Sequence, residues 1–508
     1  MPSWRSASPT SPSSSACPEW ELPDWLAAQA RRRPQQPAIE TPDLRWTYRQ
    51  LLELAGHGAQ VLGARGLGRG DRVALLIQRG ELFALWLHAL MQRGGVAVPL
   101  NWRLTPAELQ FQLQDSGAAL LVHDAAMTAL AESLEAPCPV MAAGLPQPDA
   151  RPAVRERFDL ADPQALIYTS GTTGRPKAAV LSYRNHLFAA LGSSLQLGLD
   201  LNERWLVPMP LFHVGGLGVL MRSLIYGTTA VLHDRFREQA VDQALRSSRA
   251  TLVSLVPTML ARLLDQCAAP YPPSLRAVLL GGGPAPRALL ERAADLGVPV
   301  CQSYGMTETN AQFTTLPPSD ALRKLGSAGL PLAGNELRLL GAGGAPLPPG
   351  EEGEIWVRGP TLVSGYHNRP EESAAAFQDG WFRTGDLGLL DPEGYLYVLD
   401  RRSDLIVSGG ENVYPSEVEA ALLRHPAVAE AAVVAQPDSR WGQVPRACVV
   451  LVPGASASEE ELTAFCREHL AGYKVPKRWE FLPALPRNAS GKLLRRALRD
   501  GAPAGGGR

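Results

Sequence analysis

The run Thr169-Ser170-Gly171-Thr172-Thr173-Gly174-Arg175-Pro176-Lys177 puts four hydroxyls, three glycine or proline breakers and a lysine into nine residues. It follows the apolar ALIY. A strand feeding such a loop presents backbone N–H groups and hydroxyls to phosphate oxygens, and the lysine adds a mobile cation. The spacing is not that of a Walker loop, because Gly171 and Gly174 precede Lys177 and Ala178 follows it. Taken alone, the run equally fits an ordinary surface turn. Four further runs carry suitable groups. QSYGMTET (Gln302–Thr309) offers Tyr304 for stacking on a base, and Glu308 beside two threonines for a hard cation with phosphate. GWFRTGDLG (Gly380–Gly388) sets Asp386 between glycines, able to accept from both hydroxyls of a ribose; a turn aspartate is the plainer alternative. LDRRSDLIVSGGENVYPSEVE and PRNASGKLL complete the set, the latter with Lys492 after Ser-Gly.

Positioning these groups requires a scaffold. RVALLIQ (Arg72–Gln78) reads as a buried strand, ELFALWLHALMQRG as the helix after it, ended by Gly94, and GVAVPLN as the next strand. The rhythm recurs at AALLVHD, GTTAVLHD, ATLVSLVP and LRAVLLGGG. It predicts an α/β, multi-domain protein with layered, mostly parallel sheets and helices. Near residue 380 the character changes. DLGLLDPEGYLYVLDR reads as a hairpin around DPEG, and Ser416/Glu419 and Ser458/Glu461 read as capping boxes opening two helices. The second helix would bury Leu462, Phe465 and Leu470. AVAEAAVVAQ and RACVVLVP read as strands between them. The expected division is a tail over 1–19, a large domain over 20–400, a small α+β domain over 401–500 and a tail over 501–508, with the boundary at Asp400–Ser403.

A chain of 508 residues exceeds one ordinary core. The formal net charge of −1 gives no global attraction to nucleic acid, and KLLRRALR reads as a solvated helix face. Six scattered cysteines without a C-x-x-C pair form neither a zinc site nor a disulfide framework. They read as reduced thiols of a cytoplasmic protein. No apolar run approaches the roughly 20 residues of a membrane span. A homo-oligomer is left open.

The five runs, in this order, resemble the adenylate-forming (AMP-binding) superfamily of acyl-CoA synthetases, peptide-synthetase adenylation domains and luciferases. The resemblance extends from about Trp20 to Arg499. MPLFHVGGLG, LLGGGPAP, QSYGMTET, KLGSAGLPL, YVLDRRSDLIVSGGENVYPSEVE and LPRNASGKLLR are further similar to the o-succinylbenzoate–CoA ligase family of menaquinone biosynthesis. The resemblance implies an acid–thiol ligase that uses ATP, Mg²⁺ and CoA on a small-molecule carboxylate. It implies that Thr169, Ser170, Gly171, Thr172, Thr173, Gly174 and Lys177 embrace the β- and γ-phosphates. Gly282, Gly283 and Pro284 would line the adenine, with Tyr304 stacked on it. Thr307 would contact the α-phosphate, Glu308 the Mg²⁺, and Asp386 and Arg401 the ribose. Lys492 would bridge substrate carboxylate and α-phosphate, with His213 at the mouth of the acyl pocket. The small domain would rotate about Ser403 after the first step, withdrawing Lys492 and bringing Gly409, Gly410 and Glu411 to the site.

Two positions depart from the broad pattern. Ser403 stands where many relatives have Asp or Lys, and Ala178 stands where glycine is common, which is strained only if φ is positive there. The acyl pocket is expected from His213–Gly218, the helix after Ser254–Thr258, Leu280–Gly283 and Gly305, and its glycines, Gly216 and Gly305 among them, are expected to leave room for a broad group such as an aromatic ring. Arg222 is the candidate partner of a second substrate carboxylate, with a surface arginine as the equal alternative. A CoA ligase for another aryl or fatty acid, and an enzyme loading a carrier protein, are the rivals. The end of the chain about 16 residues after Lys492 is expected to exclude a fused carrier domain.

Overall fold

The computed structural model describes residues 21–147, 152–169, 176–247, 249–267, 269–283, 285–341, 343–401, 404, 406–408, 411–413, 415–438, 441–470, 472–487 and 493–499. Among them, two large sheets dominate the first 335 residues. The six-stranded one runs Lys177–Ser182, Pro163–Thr169, Val96–Pro99, Arg72–Leu76, Leu120–His123, Val140–Ala142, parallel except for its first pair. In the nine-stranded sheet a parallel block spans Val300–Tyr304, Ala277–Leu280, Leu252–Leu255, Arg204–Val207, Thr229–Leu232 and Pro37–Glu40. The expected α/β layering is therefore present.

The helix Gly80–Arg93 is apolar nearly all round and buried nearly all round, and Gly94 closes it in a left-handed C-cap. A helix without a polar face must lie inside the protein. The helix Val214–Tyr226 has the same character. Leucines of both share one core with Val73 and Leu75 of the six-stranded sheet and Trp205 and Val207 of the nine-stranded one. Loss of a leucine from such a core costs about 2–5 kcal/mol.

A third sheet was expected from the sequence only in its DPEG hairpin. Glu336–Leu340, Glu352–Arg358, Phe377–Gln378, Trp381–Leu390 and Leu396–Arg401 form an antiparallel sheet, and the DPEG hairpin is its last pair. A fourth sheet gathers Ile406–Ser408, Glu411–Val413, Val428–Asp438, Gly442–Leu451 and Arg478–Phe481 around a separate core. The helix Glu459–His469 has the expected capping box, with Ser458 and Glu461 satisfying each other's backbone N–H. Its buried residues are Leu462 and Cys466; Phe465 is half-buried against His425, and Leu470 lies past the helix end.

The other capping box is corrected. The helix Pro415–Leu422 begins with its proline, so Ser416 already lies in the first turn and cannot cap it. Its hydroxyl donates to the Leu399 carbonyl, while Glu419 accepts from the Val433 N–H and pairs with Arg495. That pair also revises the basic C-terminal run: Arg495 is largely enclosed and ion-paired rather than solvated.

Candidate active site

The antiparallel strands Pro163–Thr169 and Lys177–Ser182 make the opening loop a hairpin, with Thr169 opposite Lys177 at its root. Ala178 is fully buried in the second strand and is absent from the residues with positive φ. Its methyl therefore brings no backbone strain. The loop residues Ser170, Gly171, Thr172, Thr173 and Gly174 lie outside the described residues, as do Pro284, Ser403, Gly409, Gly410, Lys492 and the side chain of Arg401.

The other groups arise at the carboxyl ends of parallel strands, where open α/β sheets place their ligands. Gly282 and Gly283 follow Ala277–Leu280; Gly305, Thr307 and Glu308 follow Val300–Tyr304; His213 and its helix follow Arg204–Val207. Leu280 is in register with Gln302, which sets the glycines beside the start of QSYGMTET. The antiparallel sheet supplies Asp386 and Arg401, which are opposite one another in register. Tyr304 is buried, and its hydroxyl donates to Asp386 Oδ2 at 2.8 Å. Two residues 82 positions apart, singled out separately, thus form one unit.

Glu308 sits in a single helical turn, Thr307–Thr309, whose backbone is held by the Thr309 hydroxyl at Met306 N–H and by Val363 N–H at the Glu308 carbonyl. Asn310 and Ala311 follow with φ of 54° and 75°, left-handed conformations rare for side-chain-bearing residues. The Tyr366 hydroxyl donates to Glu308 Oε1 at 2.8 Å, and the Lys177 ammonium lies 3.6 Å from the centre of the Tyr366 ring. Tyr366 was not foreseen from the sequence. Burial pulls the Lys177 pKa below the usual lysine value, opposed by the carboxylates of Glu308 and Glu372.

The donor set fits Mg²⁺. Among the described residues there is no group of three or more His, Cys, Asp or Glu that could cage a metal. A single carboxylate beside a threonine hydroxyl is what a hard cation needs when the nucleotide phosphates supply its remaining oxygens.

His213 caps the Val214–Tyr226 helix, packed edge-on against Phe212. Burial and, secondarily, the Arg103 cation hold its imidazole down at about 4, so the ring is neutral near pH 7. Its Nε2 is enclosed without a hydrogen-bond partner among the described residues. The expectation that Gly216 and Gly305 leave space is corrected. A Cβ on Gly216 would lie 2.6 Å from the Pro210 carbonyl oxygen, and one on Gly305 would overlap the Ala311 carbonyl. Both are glycines because backbone passes against them. Of the pocket glycines, Gly283 does have open space, since a Cβ there would meet nothing within 4 Å.

Arg222, two turns along the same helix, is 2 % exposed, which rules out the surface alternative. Its guanidinium lies 5.6 Å from the Trp205 ring. Among the described residues it makes no ion pair, and its Nε and Nη2 have no hydrogen-bond partner. Burial lowers its pKa. A Cβ on Gly218, one turn before it, would meet both Ala311 Cβ at 3.8 Å and Arg222 Nη2 at 3.9 Å, so the guanidinium lies near the residues that follow the Thr307–Thr309 turn. Trp102 and Arg103 were also missed. They follow the strand Val96–Pro99 and reach Phe212 and His213, a position at the end of a parallel strand that could have flagged them.

The chain matches the AMP-binding enzyme family over residues 26–367 and the AMP-binding enzyme C-terminal domain over 417–492. It is 47% identical over 479 residues to a 2-succinylbenzoate–CoA ligase of Bacillus cereus, covering 94% of this chain and 98% of that one. The o-succinylbenzoate CoA synthetase of Bacillus subtilis bound to its acyl-adenylate intermediate superposes with a TM-score of 0.90, at 43% identity over 96% of this chain and 100% of that one. The same enzyme with ATP and magnesium gives a TM-score of 0.88 at 43% identity, covering 94% and 100%. The chain belongs to the AMP-binding enzymes and, within them, to the 2-succinylbenzoate–CoA ligase family.

Proposed function

We propose that this chain joins 2-succinylbenzoate to coenzyme A in an ATP-dependent, AMP-forming reaction through an acyl-adenylate, as a step of menaquinone biosynthesis in the cytoplasm. One substrate carboxylate attacks the α-phosphorus and the bond to pyrophosphate breaks. The CoA thiolate then attacks the activated carbonyl and AMP leaves. Both first reactants are anions, so charge has to be neutralised where it builds up. Lys177 and the hairpin loop hold the β- and γ-phosphates, Thr307 contacts the α-phosphate, and Tyr304 with Asp386 and Arg401 holds the nucleoside. Glu308 and Thr307 would hold Mg²⁺, which when bound screens the phosphate charge. Lys492 bridges the reacting carboxylate and the α-phosphate. A protein nucleophile is not required, and burial pushes the Cys301 thiol up to about 12, far from a reactive thiolate. The small domain turns about Ser403 between the half-reactions, exchanging Lys492 for Gly409 and Gly410.

The observation that carries the substrate assignment is Arg222. A buried guanidinium without an anion is costly in the empty enzyme. 2-Succinylbenzoate has two carboxylates: one becomes the adenylate and the other stays charged in the pocket. Arg222 supplies its counter-ion. The test is ATP- and CoA-dependent turnover of an acid panel that includes 4-oxo-4-phenylbutanoate and 2-butanoylbenzoate, which each lack one carboxylate. Both mono-acids should fall about a hundredfold or more in kcat/KM, because a site built to pair a charged group rejects a ligand lacking it. Turnover of either mono-acid, or of a fatty acid, as fast as the dicarboxylate would overturn the assignment.

A further inference from the structure

The residues between Pro360 and His367 cross the nucleotide site as a strap. Asn185 Nδ2 donates to the carbonyls of Pro360 and Leu362, and Val363 N–H donates to the Glu308 carbonyl. Further along, Val180 N–H donates to Gly365 O and His367 N–H to Ala178 O, with Ala179 and Tyr366 bridged between them. The strap is therefore tied at one end to the turn that carries Glu308 and at the other to the strand that begins with Lys177. Its one aromatic side chain faces both charges. Tyr366 is 7 % exposed, its hydroxyl is on Glu308 Oε1 at 2.8 Å, and its ring faces the Lys177 ammonium at 3.6 Å. A phenol suits this position, since its O–H serves an anion and its π-face serves a cation. The mechanism above gives this tyrosine no part.

We propose that Tyr366 is a positioning residue that orients Glu308 for Mg²⁺ and parks Lys177 until nucleotide arrives. The hydroxyl fixes Oε1, so the carboxylate turns its other oxygen to the cation. The ring holds the ammonium by an attraction weak enough for a phosphate to displace. Both functions rest on the reading of this site as one for MgATP.

The two parts separate in binding measurements that need no turnover. ATP affinity is measured by titration calorimetry with Mg²⁺ and with EDTA, for the wild type, Tyr366→Phe and Tyr366→Leu, alongside thermal melting. Tyr366→Phe keeps the ring and loses the hydroxyl. It should bind ATP about tenfold more weakly with Mg²⁺ and unchanged in EDTA, since the lost hydrogen bond to the carboxylate matters for binding only where a cation needs that carboxylate oriented. Tyr366→Leu frees Lys177 as well and should bind ATP a few-fold more tightly in EDTA than Tyr366→Phe does. Equal weakening in both conditions, or an unaltered Mg²⁺ preference in a Tyr366→Phe protein that melts like the wild type, overturns the proposal. A wild type that fails to bind MgATP overturns the site reading and this proposal together. A wild type that binds it with an indifferent Tyr366→Phe overturns this proposal alone.

Discussion

Lys492→Ala slows adenylation of 2-succinylbenzoate by about a thousandfold or more, and leaves thioester formation from supplied acyl-adenylate nearly unchanged. Loss of a single preorganised donor to transition-state charge costs about 10²–10³ in rate, and here the donor is a full cation between two anions. In the second half-reaction the nucleophile is a thiolate and the leaving group is AMP, and under the proposed rotation of the small domain Lys492 has left the site by then. Arg487 and Leu493, on either side of residues 488–492, are joined in an antiparallel bridge, a backbone pairing that does not involve the lysine side chain. The substitution should not disturb the fold. The check is acid-dependent exchange of labelled pyrophosphate into ATP, beside CoA acylation from the purified adenylate. Equal loss in both assays would contradict the division of labour.

Arg222→Leu should move stability and activity in opposite directions. The arginine is fully enclosed and lacks a counter-ion among the described residues, so an apolar side chain in its place removes an uncompensated buried charge. The melting temperature should rise. Under the proposed pairing the same change leaves the second carboxylate of the substrate without its partner, which should cost about 2–5 kcal/mol, or at least about thirtyfold in kcat/KM. The preference for 2-succinylbenzoate over a mono-acid should shrink by the same factor. A lowered melting temperature would mean that Arg222 is a structural support, and an unchanged preference would mean that the carboxylate is paired elsewhere. Arg222→Lys keeps charge but not the forked geometry and should fall between.

Local signals in the sequence sufficed where one segment decided its own fate. The helix Gly80–Arg93 was legible because its apolar run ends at a glycine able to turn left-handed, and Ser458 with Glu461 because a capping box is complete within four residues. The Ser416 box failed because a proline one residue earlier already starts the helix. Beyond its DPEG hairpin, the antiparallel sheet from Glu336 to Arg401 was not legible, since Phe377–Gln378 is two residues long and the strands alternate with irregular turns. In the candidate site, the Ser/Thr/Gly loop, Glu308 and Asp386 could be singled out because each sits in a distinctive run. Tyr366 could not be. Its partners are 58 residues away at Glu308 and on another strand at Lys177, and a tyrosine in a loop carries no local mark of either. Glycines misled for a related reason: Gly216 and Gly305 answer to backbone that passes close in space, which a reading along the chain takes for room.

The central claim is that a substrate carboxylate oxygen bonds to the α-phosphorus of ATP. It is tested by supplying 2-succinylbenzoate labelled with ¹⁸O in its carboxylates, together with ATP and CoA, and weighing the nucleotide product. An acyl-adenylate route leaves one labelled oxygen on each AMP, with AMP, pyrophosphate and thioester formed in equal amounts. Unlabelled AMP, or ADP and phosphate in its place, would contradict it.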